Sequence, residues 1–303
     1  MEMMNTARVN AYAKINLTLD ITGREGGFHM LDSLVTTIDL YDRIFVKKRR
    51  DKLCSVYMHG MKSEDIPTEE NNALRAAEAF VARFQTCGAD VTIHKNIPIG
   101  AGLGGSSADA AGTLLALAKL YHVTDMGALK SVADTLGSDT GYLLYGGFAR
   151  LQGRGERVEP LKDGPQLHML LLIPREGVET PECYQKFDEI GSSCPPRTPL
   201  ALEALQSGNF EWAVKSFGNH LTEAAVSLNP AVGEALTQLK MLSPLCAVMS
   251  GSGSACYALF ETRELAEWAK SRYRGKCRAI VTGCPRIPKK MRNPFVLSED
   301  EGK

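Results

Sequence analysis

The chain has 303 residues, which is enough for two domains of ordinary size. Its 35 basic and 35 acidic residues cancel, so it has neither an overall basic field for nucleic acid nor the acidic excess of a disordered chain. The longest apolar run, residues 167–174, is too short to span a bilayer, and the N-terminus lacks the apolar stretch of a secretory signal. We therefore expect a cytoplasmic protein that binds a small molecule, with no nucleic acid and no membrane partner, as a monomer or weak homodimer.

The eight cysteines form no pattern that is typical of a metal site or a disulfide framework. They lie far apart, with no C-x-x-C pair and no histidine at a spacing typical of zinc. We expect reduced and mostly buried thiols.

The first part of the chain is predicted to be rich in strands. Apolar periodicity indicates strands over Thr18–Ile21, Ser33–Leu40 and Arg43–Lys48, the first two flanking a Gly-rich turn. Asn71–Phe84 repeats its apolar residues at helical intervals behind a possible asparagine cap, which predicts a helix. Ala89–His94 then returns to strand, so the fold class is α/β (α+β).

The middle of the chain is predicted to form a strand, loop and helix unit. In IPIGAGLGGSSADAAGTLLALAKLY a strand end runs into a glycine-rich loop and then into a long helix rich in alanine and leucine. A second short helix is predicted over Met126–Leu136. Tyr142–Leu151, followed by the turn sequence GRGE, is predicted as a strand.

The last part is predicted as a second domain, with a boundary placed near residue 160 between domains 1–160 and 161–303. LHMLLLIP indicates a buried strand, and AVMSGSGSACYALF indicates a strand and turn. The stretch after Pro288 is predicted as a loose tail. Three further helices are predicted over Leu200–Gln206, Ala231–Leu239 and Thr262–Arg272.

The loop in GAGLGGSSADAAG has two equally good explanations. Its glycines remove side chains that would keep an anion off the backbone, and the following helix points unpaired N–H groups at the same place, so it can hold phosphates. It can also be a turn that packs a helix closely on a sheet. No G-K-[ST] follows at the distance of a Walker A loop.

A dinucleotide-binding oxidoreductase is a weaker alternative for the same loop. Gly100, Gly102 and Gly105 satisfy G-x-G-x-x-G, and Asp125 lies 20 residues further on. A Rossmann fold needs that acid at the end of a second strand, whereas the sequence there predicts a turn and a helix start.

Two charged residues, Lys14 and Asp139, lie in distinctive surroundings. Lys14 lies beside a strand in AKINLTLDITGREGGFHMLDS, and Asp139 lies in LGSDTGYLLYGG between a helix end and a strand. Taken singly, each is more simply explained as a solvated charge or a helix cap than as a catalyst.

Five stretches in the same order resemble one kinase superfamily. The run from Pro98 to Ser107 matches P-x-x-x-G-L-G-x-S-S, the phosphate loop of the GHMP kinases, and MSGSGSACYALF from Met249 matches their C-terminal glycine motif. AKINLTLDITGREGGFHMLDSLVTTIDLYDRI is similar to the A-K-I-N-L, G-R-x-x-G-[YF]-H and D-L-x-D signature of one member family. LGSDTGYLLYGG with GRGE behind it, and GVETPECY, add to this likeness. From about Ala11 to Phe260 the chain thus resembles the 4-diphosphocytidyl-2-C-methyl-D-erythritol kinases of the non-mevalonate isoprenoid pathway.

The resemblance implies a fold and a reaction. The fold is two-lobed, with an N-terminal lobe like domain 2 of ribosomal protein S5 and a ferredoxin-like C-terminal lobe. The reaction is phosphorylation of the 2-hydroxyl group of a cytidine-diphosphate-linked acceptor, with ATP and magnesium as cofactors. Lys14 and Asp139 would form the catalytic pair at that hydroxyl, supported by Asn16.

The resemblance also implies the binding residues. Phe28, His29 and Tyr184 would hold the cytosine ring, although His29 is also consistent with an ordinary turn histidine. The C-terminal glycine motif would close the site through Gly251, Ser252 and Gly253. Ser107 would contact magnesium. The nucleotide would be held by Lys95, Pro98, Gly102, Leu103, Gly104, Gly105, Ser106 and Ser107.

The chain departs from the family pattern at three places. Ser106 stands at the third loop glycine, Thr140 and Gly141 replace V-P after Asp139, and Tyr12 replaces a proline. Ser106 still offers a backbone N–H, so we expect the chemistry to survive. Two alternatives stay open: a related kinase acting on mevalonate, homoserine or a sugar, and a non-catalytic ligand-binding member of the fold.

Overall fold

The computed structural model describes residues 5–60, 71–161 and 164–285, which form two sheets and their covering helices. The strands are β1 (Thr6–Asn16), β2 (Thr18–Glu25), β3 (Phe28–Lys48), β4 (Ser55–Gly60), β5 (Ala89–Lys95), β6 (Ala149–Gly153), β7 (Arg157–Pro160), β8 (His168–Ile173), β9 (Gly218–Asn219), β10 (Cys246–Met249), β11 (Cys256–Phe260) and β12 (Arg278–Gly283). The helices are α1 (Asn72–Phe84), α2 (Gly105–Tyr121), α3 (Met126–Ala133), α4 (Thr140–Leu143), α5 (Thr180–Ile190), α6 (Thr198–Gln206), α7 (Phe210–Lys215), α8 (Thr222–Leu228), α9 (Pro230–Lys240) and α10 (Arg263–Arg272).

The long strand β3 is the centre of the N-terminal sheet. It pairs antiparallel with β1, β2, β5 and β6, which would be impossible for a short strand. Leu34, Ile38 and Ile44 on β3 are fully buried, while alternate residues from Arg43 onward are exposed, as a half-buried strand requires. The two strands predicted over 33–40 and 43–48 are therefore one continuous strand.

Helices α1 and α2 cover one face of this sheet and pack against each other. The predicted cap of α1 is confirmed, because Asn71 Oδ1 accepts a hydrogen bond from the Ala73 N–H at 2.9 Å. The predicted long helix is α2, and it is buried along most of its length. At Gly112 an added Cβ would lie only 2.8 Å from the Ala11 Cβ, so glycine lets α2 approach β1 closely.

The C-terminal sheet has the strand order β10-β11-β8-β12, with every neighbouring pair antiparallel. In chain order, β8 is followed by helices, then by the β10–β11 pair, then by α10 and β12. This is the βαββαβ arrangement that defines a ferredoxin-like lobe. The predicted buried strand is confirmed, since five of the six residues of β8 are buried. A two-lobed chain of mixed helices and sheets is thus confirmed.

The two lobes are joined by more than the chain connection. The short strand β9 pairs parallel with β2, where Gly218 lies opposite Thr18. Ala201 and Val214, from α6 and α7, belong to the same hydrophobic core as the N-terminal sheet. β7 ends at Pro160, close to the predicted boundary. Because β9, α6 and α7 follow this point and still pack with the N-terminal sheet, the boundary near residue 160 stays a prediction.

The strand predicted over Tyr142–Leu151 is wrong in its first half. Tyr142 lies in the short helix α4, is fully buried, and its hydroxyl donates to the Gly147 carbonyl at 2.6 Å. Gly146 and Gly147 have φ of 62° and 75° and form a turn, so β6 begins only at Ala149. The cause of the error is that a short apolar run suits a helix as well as a strand.

Several smaller expectations are corrected as well. Helix α3 ends at Ala133 rather than at Leu136, and β1, β4, β7, β9 and β12 have no counterpart among the predicted strands. All eight cysteines are free, but only Cys183 and Cys256 are buried and the other six are half-buried. The predicted tail after Pro288 lies outside the described residues. No helix in the described ranges is long and apolar enough to cross a membrane.

Candidate active site

A cavity of about 810 Å³ lies between the two lobes. Its walls come from the ends of β1 and β3, the loop before α2, the start of α5 and the loop after β10. With one exception, every residue that the sequence assigned to catalysis or binding lies in this wall. The exception is Gly253, which lies behind Gly102 and does not face the cavity.

The cavity exists where two glycine loops touch backbone to backbone. The Ala255 N–H donates to the Ala101 carbonyl at 3.1 Å, and the Ser250 hydroxyl donates to the Gly102 carbonyl at 3.0 Å. A Cβ on Gly102 would lie 2.3 Å from the Ser250 carbonyl oxygen, and one on Gly251 would lie 2.9 Å from the Gly102 oxygen. Both glycines also have positive φ, so no other residue suits these positions.

The predicted catalytic pair is brought together in this cavity. Lys14 Nζ lies 3.2 Å from Asp139 Oδ2 and donates to Asn16 Oδ1 at 2.7 Å. The Lys14 backbone N–H donates to the Leu103 carbonyl at 3.0 Å, which ties the pair to the glycine loop. Asn16 is held in turn by Ser33, whose hydroxyl accepts from Asn16 Nδ2 at 2.8 Å. The Lys14 side chain is only 7% exposed and that of Asp139 is 25% exposed, so the carboxylate is the accessible member.

The start of helix α2 is suited to binding an anion. The first helical hydrogen bond runs from the Ala108 N–H to the Gly104 carbonyl at 2.8 Å. The N–H groups of residues 105–107 have no acceptor among the described residues, and Gly104 has no side chain with which to cap them. Such a helix start attracts negative charge and presents donors to phosphate oxygens. The Ser107 hydroxyl, likewise without a hydrogen-bond partner in the described chain, lies beside them.

Gly104 lies between the start of α2 and the Lys14–Asp139 pair. Its φ of 70° is left-handed, and a Cβ at this position would lie 3.0 Å from Lys14 Cγ and 3.6 Å from Asp139 Oδ2. Glycine at 104 therefore allows Lys14 to pass against the loop. The same approach brings the start of α2 next to the Lys14–Asp139 pair.

Lys95 lies beneath the loop in a buried cluster of charges. Its Nζ contacts a carboxylate oxygen of Asp42 and lies 2.6 Å from Asp109 Oδ2, and its side chain is only 2% exposed. Burial raises the pKa of Asp109 to about 8, helped by the nearby Asp42 charge and opposed by Lys95. Asp42 also accepts from the Ile97 N–H at 2.8 Å. A Cβ on Gly105 would lie 3.7 Å from Lys95 Nζ, so the cluster supports the loop from behind.

The predicted aromatic residues line the far end of the cavity. The rings of His29 and Tyr184 lie 4.7 Å apart at 33°, and Phe28 is 55% exposed beside them. His29 Nε2 lies 2.7 Å from Asp188 Oδ1, and Asp188 Oδ2 accepts from Arg24 at 2.9 Å. Burial raises the pKa of Tyr184 well above its ordinary value.

Sequence reasoning missed some residues of this site. Asp188 fixes His29, yet one acid in ECYQKFDEI carries no signal because its partner is 159 residues away. Asn72 donates to the Ser106 hydroxyl at 2.8 Å and lines the cavity. The sequence predicted that Asn72 lies in the first turn of α1, directly after the cap. It did not predict the contact between Asn72 and the loop at Ser106.

Comparison with known sequence families gives two matches. Residues 71–147 match the family described as GHMP kinases N terminal domain. Residues 201–279 match the family described as GHMP kinases C terminal. The first range includes the glycine loop and Asp139, and the second includes the loop after β10.

Individual proteins resemble the chain over most of its length. A 4-diphosphocytidyl-2-C-methyl-D-erythritol kinase of Desulfitobacterium hafniense (strain Y51) is 40% identical over 87% of this chain and 90% of its own. A crystal structure of 4-(cytidine 5'-diphospho)-2C-methyl-D-erythritol kinase superposes with a TM-score of 0.71 at 33% identity, covering 92% of this chain and 100% of its own. A homoserine kinase from Cytophaga hutchinsonii has the same TM-score at 18% identity, covering 93% and 95%, and this likeness shows the fold alone.

The buried charge cluster generates a stability prediction. Lys95→Met should lower the free energy of unfolding by about 3 to 5 kcal/mol, because the buried Asp42 carboxylate loses its counter-charge and buried Asp109 loses its hydrogen-bond donor. The matched control is Lys130→Met, which removes a lysine from an exposed pair with Asp134 and should cost less than about 1 kcal/mol. Urea unfolding of the two variants and the wild type measures both values. Equal small losses would contradict a structural role for Lys95.

Proposed function

Because the chain belongs to the GHMP kinases and, within them, to the 4-diphosphocytidyl-2-C-methyl-D-erythritol kinase family, we propose that it phosphorylates the 2-hydroxyl group of 4-diphosphocytidyl-2-C-methyl-D-erythritol with ATP. This reaction belongs to the non-mevalonate synthesis of isoprenoid precursors. The observation that carries the proposal is the Lys14–Asp139 pair, 3.2 Å apart, facing the same cavity as the open start of helix α2.

The nucleotide would bind at the glycine loop. The free N–H groups at the start of α2 supply donors for phosphate oxygens, and the helix dipole favours their charge. Glycine at 102 and 104 suits the positive φ of the loop and leaves no side chain between the loop and Ser250 or Lys14. Phosphoryl transfer depends mainly on such positioning and on charge stabilisation, since little covalent chemistry is asked of the protein.

Asp139 would receive the proton of the acceptor hydroxyl as its oxygen bonds to the γ-phosphorus. The bond from that phosphorus to the bridging oxygen of ADP breaks in the same transfer. Lys14 would offset the negative charge that collects at the reacting group, with its position fixed by Asn16 and by the Leu103 carbonyl. The chain itself would therefore orient ATP, orient the acceptor hydroxyl and accept one proton.

Magnesium would be held mainly by the nucleotide. Among the described residues, no group of three or more histidines, cysteines, aspartates or glutamates could hold a metal by itself. The residues present still fit the ion, because the free Ser107 hydroxyl and the Asp139 carboxylate are oxygen donors on the cavity wall. When bound, magnesium supplies charge neutralisation at the β- and γ-phosphates.

The acceptor would be recognised through its cytosine ring. Phe28 and Tyr184 offer aromatic faces, and base stacking on such a side chain contributes about 1 to 3 kcal/mol. The likeness to homoserine kinase in overall fold is compatible with several acceptors. The aromatic side chains at this end of the cavity favour an acceptor that carries a base. Homoserine and mevalonate have no ring to place there.

The catalytic assignment gives the first functional prediction. Wild-type protein with ATP should release ADP when given the cytidine-linked acceptor and not when given homoserine or mevalonate. Asp139→Asn should lower this turnover by about 10²-fold or more, because the amide cannot accept the proton, while calorimetry with a non-hydrolysable ATP analogue should find unchanged nucleotide affinity.

The matched control for this prediction is Asp134→Asn, which alters an exposed acid of the same segment and should leave turnover unchanged. Near-normal turnover of Asp139→Asn would remove Asp139 from the mechanism. ADP release with homoserine as efficient as with the cytidine-linked acceptor would overturn the proposed substrate.

Asp188 gives a second prediction, on base selectivity. A carboxylate can only accept, so His29 Nε2 carries a hydrogen; when Nδ1 carries none, it is an acceptor, which suits the amino group of cytosine and not the 4-carbonyl of uracil. In Asp188→Asn the amide can also donate to Nε2, which permits the other tautomer. The ratio of kcat/KM for cytidine-linked over uridine-linked acceptor should fall by about 10-fold, the value of one net hydrogen bond.

Glu189→Gln is the control for Asp188, because it neutralises the next acid of α5, which pairs with Lys186 at the surface. Its selectivity ratio should equal that of the wild type. An Asp188→Asn variant that loses activity equally with both acceptors would show that Asp188 supports the fold of the pocket and does not set the tautomer.

A further inference from the structure

The hairpin between β6 and β7 projects one arginine toward the cavity. Its turn is GRGE, residues 153–156, with φ of 70° at Gly153 and 107° at Gly155. The Glu156 carboxylate accepts from the Arg154 backbone N–H at 2.6 Å, which braces the turn. Arg154 is exposed, lines the cavity, and its Cζ lies 4.8 Å from the centre of the Phe28 ring. This turn belongs neither to the Lys14–Asp139 pair nor to the glycine loop before α2.

Arg154 is the one cavity lysine or arginine of the described residues whose charge is uncompensated. Lys14 is paired with Asp139, and Lys95 is enclosed by two buried carboxylates. The Arg154 guanidinium has no carboxylate within ion-pair distance in the described part of the chain, and it lies over the ring of Phe28. An exposed guanidinium of this kind is free to bind an anion.

Arg154 also lies between the two ends of the site. On one side its guanidinium contacts the ring of Phe28, one of the residues on which the base would stack. On the other side its neighbour Gly155 lies against Ser138, since a Cβ on Gly155 would be 3.3 Å from the Ser138 Cβ. Ser138 directly precedes Asp139, which meets the reacting hydroxyl. In the acceptor of the proposed function, the group that joins the cytidine to the polyol is a diphosphate.

We propose that Arg154 binds the diphosphate of the acceptor through its guanidinium. The planar N–H fork of arginine matches two phosphate oxygens at once, which lysine cannot do. Its contact with Phe28 holds the side chain over the cavity before the acceptor arrives. This assignment rests on the proposed function, because it requires an acceptor in which phosphates follow a base.

The test compares two competitive inhibitors of the acceptor, cytidine and CDP, at saturating ATP. The two differ only by the diphosphate, so base stacking is common to both. In the wild type CDP should bind more tightly than cytidine. Arg154→Ala should raise the inhibition constant of CDP by about 10- to 100-fold, while the inhibition constant of cytidine should change by less than about 3-fold. Arg154→Lys, which keeps the charge and loses the fork, should fall between the wild type and Arg154→Ala.

The matched control is Arg157→Ala, an exposed arginine of the same hairpin that does not line the cavity, and both of its inhibition constants should equal those of the wild type. Equal weakening of cytidine and CDP in Arg154→Ala would mean that Arg154 only shapes the Phe28 pocket, and unchanged constants would mean that it has no role. A raised KM for ATP with unchanged CDP inhibition would assign Arg154 to the nucleotide. Each of these three results overturns the proposal alone, whereas failure of both compounds to inhibit the wild type overturns the cytidine acceptor as well.

Discussion

The site depends on one backbone contact, the approach of the glycine loop before α2 to the glycine loop after β10. A hydrogen bond from Ala255 to Ala101 joins the two lobes at this point, and Gly102 leaves no room for a side chain. The same loop accepts the Lys14 N–H at Leu103 and begins the helix that would hold the phosphates. The start of α2, Lys14 and the C-terminal lobe are therefore fixed relative to one another by a single turn of backbone.

Two lysines of this site, Lys95 and Lys14, differ in their burial and in their charged partners. Lys95 is buried between Asp42 and Asp109 under the loop, where it stabilises the buried acidic groups. Lys14 contacts one partly exposed carboxylate, Asp139, at the mouth of the cavity. Arg154 has no such carboxylate partner in the described residues. The cavity wall therefore contains a buried lysine cluster, one lysine–aspartate pair and one arginine whose charge is not paired.

The sequence revealed those parts of the site that are local in the chain. The glycine loop and α2 follow from composition and periodicity, and Lys14 and Asp139 became candidates because the motifs around them resemble a family. It did not reveal Asp188, since the contact with His29 depends on how two lobes meet. Tyr142 was misassigned for a similar reason, because burial on all sides hides the periodicity that would separate helix from strand.

The most direct test of the contact between the loops is the turnover of Gly102→Ala compared with Gly208→Ala. Both glycines have similar φ, 71° and 74°, so the backbone strain is matched, but only Gly102 faces another backbone within 4 Å. If that contact organises the site, Gly102→Ala should lose about 10²-fold in turnover, the cost of a small misplacement of reacting groups, with its circular dichroism unchanged. Gly208→Ala should stay within about 2-fold of the wild type. Equal turnover of the two variants would contradict the account.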